Sequence, residues 1–144
     1  MLMLLSCTAY AAEPENAGHK VPSQETVAAE DIVSQLISGQ PIRYDNVTIT
    51  GPLELGEMQG SLPQPVKITN SHFSGPVELA GTGFDEMLDL QGSVFQDNVN
   101  FAGCRFTGGA RFSGVIFQGE ADFRNTYFGG QASFLSARFE EDAS

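Results

Sequence analysis

The sequence predicts an all-β solenoid, and three observations favour that fold. Large apolar residues recur every 11 positions in two series offset by six, smaller residues stand two positions before them, and glycines recur between them. The first series is Phe73, Phe84, Phe95, Phe106, Phe117, Phe128 and Phe139; the second is Leu79, Leu90, Phe101, Phe112, Phe123 and Phe134. Such regularity over most of a chain is typical of stacked repeats.

An 11-residue period is also typical of a right-handed coiled coil. Alternating steps of six and five residues, at about 100° per residue, would point the apolar side chains to unrelated sides of a helix. Positions two apart on an extended segment share a face, so Val99 and Phe101 both point inward. We expect the recurrent glycines to adopt backbone dihedrals that other residues resist: Gly75, Gly81, Gly92, Gly103, Gly108, Gly114, Gly119 and Gly130.

These units resemble the pentapeptide-repeat family, whose motif is written A(D/N)LXX. The matching triplets are Ala121-Asp122-Phe123, Val99-Asn100-Phe101 and Leu88-Asp89-Leu90, with Phe often in place of the central Leu and with alternating five- and six-residue spacing instead of regular fives. The resemblance implies a right-handed, four-sided β-helix in which two 11-residue units form one 22-residue coil. Four ladders of stacked apolar residues follow: Phe73, Phe95, Phe117 and Phe139; Phe84, Phe106 and Phe128; Leu79, Phe101 and Phe123; and Leu90, Phe112 and Phe134.

Upstream residues fit the same template when two residues are inserted between Glu57 and Gly60, so we assign the solenoid to residues 44–144. Residues 26–38 form a predicted helix that Thr26 caps and that Gly39 and Pro41 end. Its apolar face is Ala28, Ile32, Val33, Leu36 and Ile37. We expect this helix to cover the first core layer; the alternative is a helix that binds a partner or a membrane.

The N-terminus is typical of an export signal. Residues 1–11 combine an apolar run with the small-x-small pattern Ala9-Tyr10-Ala11, and a polar linker, residues 12–25, follows. The segment Leu4-Leu5-Ser6-Cys7 resembles a bacterial lipobox, in which Cys7 is the lipidated residue. The predicted location is therefore periplasmic or secreted, with a lipid on Cys7 as the only membrane attachment. A chance apolar terminus on a cytoplasmic protein is the alternative.

Composition and residue spacing argue against several classes of function. The chain has 144 residues and a formal net charge of −11, which argues against direct nucleic-acid binding because phosphate neutralisation needs excess Lys and Arg. Cys7 and Cys104 have no neighbours at metal-ligand spacing, and Cys104 occupies an inward position of the repeat. We expect His19 and His72 to be surface histidines. A filled interior leaves no pocket for catalytic groups, so the sequence predicts no catalytic residues, cofactor or metal.

The outward positions carry the remaining candidates. Residues 22 apart stack, so Glu78, Asn100 and Asp122 form an acidic stripe, and Lys67, Asp89 and Arg111 form a stripe of alternating charge. A third stripe, His72, Val94, Ile116 and Arg138, places two apolar side chains outside and is a candidate contact patch. Scattered exposed apolar residues with no binding role are the alternative.

The repeat is still in phase at Phe139, before Glu140-Glu141-Asp142. The last coil needs shielding by charge, by the tail or by a second subunit, and end-to-end homodimers occur in the family that the chain resembles. Overall the sequence predicts a non-catalytic, exported interaction or scaffold module with an unidentified protein partner. The alternative is an acidic mimic of DNA that inhibits a topoisomerase, as quinolone-resistance proteins of the resembled family do.

Overall fold

Short parallel strands, stacked in register into four sheets, make up the architecture. The structure is a computed structural model that describes residues 24–56 and 60–144. One helix, α1 (Ala29–Ile37), lies near the start of the described chain. The chain visits the four sheets in a fixed order, and we name them faces A, B, C and D in that order, so B lies opposite D.

Each regular coil contributes one strand to each face. Face A consists of β1 (Glu25–Ala28), β3 (Val47–Thr50), β7 (His72–Phe73), β11 (Val94–Phe95), β15 (Ile116–Phe117) and β19 (Arg138–Phe139). Face B consists of β4 (Leu53–Glu54), β8 (Val77–Glu78), β12 (Val99–Asn100) and β16 (Ala121–Asp122). Face C consists of β5 (Ser61–Leu62), β9 (Gly83–Phe84), β13 (Arg105–Phe106) and β17 (Tyr127–Phe128). Face D consists of β2 (Ile42–Asp45), β6 (Val66–Thr69), β10 (Leu88–Asp89), β14 (Ala110–Arg111) and β18 (Ala132–Ser133).

Strand register confirms the predicted coil length and the predicted insertion. Leu62 pairs with Phe84, and Phe106 pairs with Phe128, so each of these coils has the length that the repeat predicts. Leu53 pairs with Val77, which makes the coil between them longer by two positions. The two extra residues therefore lie between Glu54 and Ser61, the segment in which the sequence predicted them.

The four predicted ladders are present in the core. Phe73, Phe95 and Phe117 stack with ring centroids 4.4 and 5.3 Å apart. Neighbouring ladders meet edge to face, as Phe101 and Phe112 do at 5.7 Å. The rings of the central coils are completely buried, and each contributes about 1.5–3 kcal/mol through burial. Aromatic packing therefore fills the interior that the sequence predicted to be solid.

The helix begins later than the sequence predicted. Residues 26–38 were expected to be helical with Thr26 as the cap, but Thr26 lies in β1 and α1 begins at Ala29. The strand forms because Val27 pairs with Ile49 and adds an apolar residue to the core below face A. The solenoid thus includes β1 and β2 and begins before residue 44, and Glu25 belongs to it instead of to the predicted linker.

Helix α1 replaces two strands of its coil. It joins a face A strand to a face D strand, so it occupies the place where other coils carry faces B and C. Ala29, Ile32 and Leu36 bury one side of it against the first layer. The Gln64 side chain donates a hydrogen bond from Nε2 to the Leu36 carbonyl (2.8 Å). The helix therefore covers the first core layer, as predicted, although Ile37 is exposed.

The turn glycines fall into two classes, which corrects the expectation that all eight have unusual dihedrals. Gly81, Gly92, Gly103 and Gly114 have positive φ. Gly75, Gly108, Gly119 and Gly130 instead approach the backbone of another coil too closely for a side chain. At Gly108, an added Cβ would lie 2.4 Å from the carbonyl carbon of Glu86. Lack of space, not backbone strain, requires glycine at these four positions.

The last described coil is open on three faces. The predicted ladders reach Phe134 and Phe139, but these rings are 36% and 41% exposed. On face B the tail adds one more segment, with Phe123 N donating to the Ser144 carbonyl (2.6 Å) and Ala121 N donating to that of Asp142 (3.2 Å). The tail thus shields part of the last coil, which was one of the three kinds of shielding that the sequence suggested.

Candidate functional site: the outer faces

The interior offers no room for a ligand in the described part of the chain. The void between the core side chains has a volume of about 20 Å³ and an entirely apolar lining that includes Ile32, Leu53 and Phe84. That is barely the space of one water molecule, and nothing polar is there to hold it. Groups that could bind a partner must therefore lie on the outside of the coils.

Face A carries the candidate contact patch. His72, Val94, Ile116 and Arg138 stand at successive register positions on β7, β11, β15 and β19, which confirms that they stack. The first three are half-buried and Arg138 is exposed. The His72 ring Nε2 lies 3.0 Å from Gln96 Oε1, and Arg138 forms an ion pair with Glu140 (3.4 Å). The two aliphatic side chains thus lie on a flat sheet between polar groups.

Face B carries the predicted acidic stripe, and the structure extends it. Glu78, Asn100 and Asp122 stack in register, and Glu54 continues the column towards the helix. Asn100 Nδ2 donates to Glu78 Oε2 (3.1 Å) across the layers. Glu120 lines the same shallow groove. The face therefore presents four carboxylates beside a pair of amides, Asn98 and Asn100.

One carboxylate of face B is neutralised within the chain. Arg124 donates from Nε to Asp122 Oδ1 (2.9 Å), and its backbone N–H donates to the same atom (2.9 Å). The hydrogen bonds from Arg124 lower the pKa of Asp122 to about 2, and Asp122 in turn raises the pKa of the guanidinium. Asp122 therefore stays ionised, but its charge is balanced locally, and the uncompensated negative charge of the face lies at Glu54, Glu78 and Glu120.

Face D carries the stripe of mixed charge. Arg111 contacts Asp89 at 3.5 Å, which confirms one of the predicted cross-layer pairs. Arg43 extends the stripe and stacks directly on Lys67. At the corner beside them, hydrogen bonds from Asn70 and Thr69 lower the pKa of Asp45. The exposed cations of this face are thus Arg43 and Lys67 on adjacent layers, with Arg111 further along.

Cys104 has a structural environment. Its Sγ donates to the Leu79 carbonyl (3.0 Å), and burial raises the pKa of the thiol to about 11. Ser93 and Thr126 make the same kind of bond from equivalent positions of other units, to the carbonyls of Ile68 and Phe101. The side chain therefore replaces a hydroxyl that satisfies a turn carbonyl, and the neutral thiol is a poor nucleophile.

The remaining candidates contribute no further cluster. Cys7 and His19 lie outside the described residues. Within residues 24–56 and 60–144, no three His, Cys, Asp or Glu side chains are placed to hold a metal ion. Over that same part of the chain, the helix is too short and too polar to cross a membrane.

Repeated short strands, four parallel sheets and a stacked aromatic core define a β-solenoid of about five turns. Residues 68–116 match the family model for pentapeptide repeats, in nine copies. The matched segment consists of Phe-rich pentapeptide repeats. Neither a curated protein nor a solved structure shows significant similarity to the chain.

Sequence reasoning missed several residues of these faces. Glu54 and Arg43 lie before the two-residue insertion, so the regular coil spacing does not connect them to Glu78 and Lys67. Adding the two inserted residues to the coil spacing connects Glu54 to Glu78 and Arg43 to Lys67. The bond between Arg124 and Asp122 joins positions two apart, and the coil spacing relates only residues that stack in successive coils.

Proposed function

We propose that this solenoid is a non-catalytic, exported interaction or scaffold module whose partner is a protein. The observation that carries the proposal is the face A column, in which Val94 and Ile116 lie outside a filled, rigid core. A rigid sheet face binds without ordering its own backbone, so little conformational entropy is lost on association. The same filled core leaves outer surfaces as the places for function.

The chemistry of face A favours a partner with a small apolar strip and polar edges. The two aliphatic side chains stand one layer apart, which is about 4.8 Å in a β-sheet. Gln96 and Gln118 lie two residues beyond them and are exposed, so they can donate and accept hydrogen bonds at the edge of the contact. Arg138 is held by Glu140 and contributes little net charge.

Site-specific photocrosslinking tests this face. A photoreactive amino acid at position 94, introduced in the native host, should yield a discrete crosslinked protein. Ile116→Glu should reduce that product at least about tenfold, since it places a charge in an apolar contact. Thr107→Glu makes a matched charge change at an exposed position of the turn after face C and should leave the product unchanged. Equal crosslinking in both variants would contradict the proposal.

Export rests on the apolar run and small-x-small pattern of residues 1–11 and on the lipobox resemblance at Cys7. The test is the intact mass of the mature protein from fractionated host cells. A chain beginning at lipidated Cys7 or at Ala12 in the envelope fraction supports the proposal. An unprocessed chain in the cytoplasm contradicts export and supports the alternative, a cytoplasmic protein.

The DNA-mimic alternative draws on face B, where Glu54, Glu78 and Glu120 are exposed along one side of an acidic rod. It requires a cytoplasmic location and a topoisomerase partner. A supercoiling assay with the purified chain tests it. Inhibition that Glu78→Gln weakens would support this second function, and full enzyme activity at high micromolar concentrations of the chain would exclude it.

A homodimer through the last coil is a further proposal about partners. Phe134, Phe139 and Leu135 are exposed there on one end of the coil stack. Joining two such ends would bury their apolar surface and pair strand edges. Sedimentation of the chain over a dilution series should show a dimer that Phe139→Glu dissociates. A monomer throughout the series would contradict the end-on contact.

A further inference from the structure

Faces B and D carry opposite charges in the same layers. Each coil is counted here from its face D strand. The first coil has Arg43 on face D and Glu54 on face B, and the second has Lys67 on face D and Glu78 on face B. All four side chains are exposed. Among the described residues, none of the four forms an ion pair.

The stacking within each face is unfavourable on its own. Glu78 lies directly over Glu54, and Lys67 lies directly over Arg43. Like charges opposite each other on neighbouring strands destabilise a sheet. Each face therefore has a row of two like charges about 4.8 Å apart, and a row of the opposite sign at the same spacing would relieve the repulsion.

We propose that the chain associates laterally with itself, with face B of one copy against face D of the next, parallel and in the same layer. A simple sideways translation brings Glu54 to Arg43 and Glu78 to Lys67 of the neighbouring copy. The members of each pair are half a coil apart along the axis, about 2.4 Å, which long side chains readily span.

The next two layers are compatible with this orientation. In the third, Asn100 of face B meets Asp89 of face D, which is nearly buried and already bonded to Arg111. In the fourth, Asp122 and Arg111 are each paired within their own chain, so they add little attraction and no repulsion. An antiparallel arrangement of the same four layers would instead place Arg43 opposite Asp122, which is already paired with Arg124, and Lys67 opposite Asn100. Neither exposed cation would then meet an unpaired carboxylate. The charge order thus favours the parallel contact.

The size of the contact predicts a weak association. Four layers of strands only two to four residues long give far less than the roughly 800 Å² per partner of a stable dimer. The association is therefore weak, dependent on concentration and sensitive to salt. Because one copy uses different faces towards its two neighbours, the contact is heterologous and repeats into rows instead of closing as a dimer.

Zero-length crosslinking gives the test, since Lys67 is the single lysine of the described residues. Equal amounts of ¹⁴N- and ¹⁵N-labelled chain are mixed at millimolar concentration in low salt, treated with a carbodiimide and digested. We expect a mixed-isotope peptide that joins Lys67 to Glu78. Its yield should fall at least about tenfold in 0.5 M NaCl, because screening is then effective within several ångströms.

Charge reversal adds a matched rescue. Lys67→Glu or Glu78→Lys alone should abolish the mixed-isotope product. Mixing the two variants should restore association through a crosslink in which the new Lys at position 78 meets the new Glu at position 67. Arg105→Glu, which makes the same change of net charge as Lys67→Glu but on face C, should leave the yield of the Lys67–Glu78 peptide unchanged. Circular dichroism checks that each variant is folded.

The outcomes separate this contact from the end-on dimer. Phe139→Glu should leave the Lys67–Glu78 product unchanged, whereas it dissociates an end-on dimer. A product that resists salt, a crosslink from Lys67 to Glu54 in place of Glu78, or no rescue in the mixed variants would each overturn the parallel, in-register contact.

Discussion

Replacing Phe106 by Ala tests whether the stacked core holds the solenoid together. The ring is completely buried. It stacks between Phe84 and Phe128, each at 5.3 Å, and meets Phe101 and Phe112 edge to face at 5.8 and 6.0 Å. Removing it leaves a cavity in the middle of the coil stack. Substitutions of this kind cost about 3–5 kcal/mol, a large part of the 5–15 kcal/mol stability of an ordinary domain.

Urea unfolding followed by far-UV circular dichroism measures the effect. With a slope of about 1–3 kcal/mol per molar urea, the midpoint should fall by roughly 2 M. Phe139→Ala is the matched control, because the same residue type occupies the end of the ladder on the opposite face. That side chain is 41% exposed and, within the described part of the chain, stacks on Phe117 alone, so its loss should cost about 1–2 kcal/mol. Equal losses in the two variants would refute the packing account.

Three further predictions concern single positions. Gly108→Ala should cost about 1–3 kcal/mol in urea unfolding, because its Cβ would collide with the Glu86 backbone; an unchanged midpoint would contradict this. Cys104→Ser should remain within about 1 kcal/mol of the wild type, since a hydroxyl can make the bond to the Leu79 carbonyl, and a loss above about 3 kcal/mol would be inconsistent with that role. Arg124→Ala should raise the pKa of Asp122 from about 2 towards the ordinary value near 3.9, as followed by NMR titration of the carboxyl carbon. Because the folded-state pKa is depressed, the wild-type pair contributes stability above the unfolded pKa and loses it as the pH falls through the folded pKa. The variant keeps the backbone N–H bond to Asp122 and should show a smaller loss.

The coil geometry was predictable because one repeating unit determines most of it. The 11-residue spacing identified the ladders, and the break in phase before Leu62 located the two extra residues. Positions such as Val77 and Val99, two residues before the large ones, are buried as the period of an extended strand requires. In a solenoid each unit contacts mainly its neighbours, so local sequence carries most of the fold.

The start of the solenoid was harder to predict because two local signals competed. Thr26 is a good helix cap, and Ile32 and Leu36 have helical spacing, so these signals predict a helix over the whole segment. Pairing of Val27 with Ile49 decides the outcome, and that contact joins residues one coil apart without any recurrent Phe to mark them. Tertiary pairing thus overrides the capping preference of Thr26.

The candidate surfaces were only partly predictable. Stacking of Glu78 with Asn100, or of Val94 with Ile116, follows directly from the repeat. The repeat does not predict which of these charges remain unbalanced, because that depends on side-chain hydrogen bonds such as the one from Arg124 to Asp122. The row formed by Arg43 and Lys67 appeared only with the longer register of the first coil.

The most direct test of the central claim is the set of inter-residue contacts in solution, measured by isotope-edited NOE spectroscopy on selectively labelled Phe and Ile. The solenoid predicts ring contacts between Phe95 and Phe117, which are one regular coil apart. It also predicts a contact between Ile49 and Phe73, which are separated by the longer coil that contains the insertion. Contacts between rings of one ladder at any other separation, or none between Phe95 and Phe117, would contradict the stacked-coil structure and the outer faces derived from it.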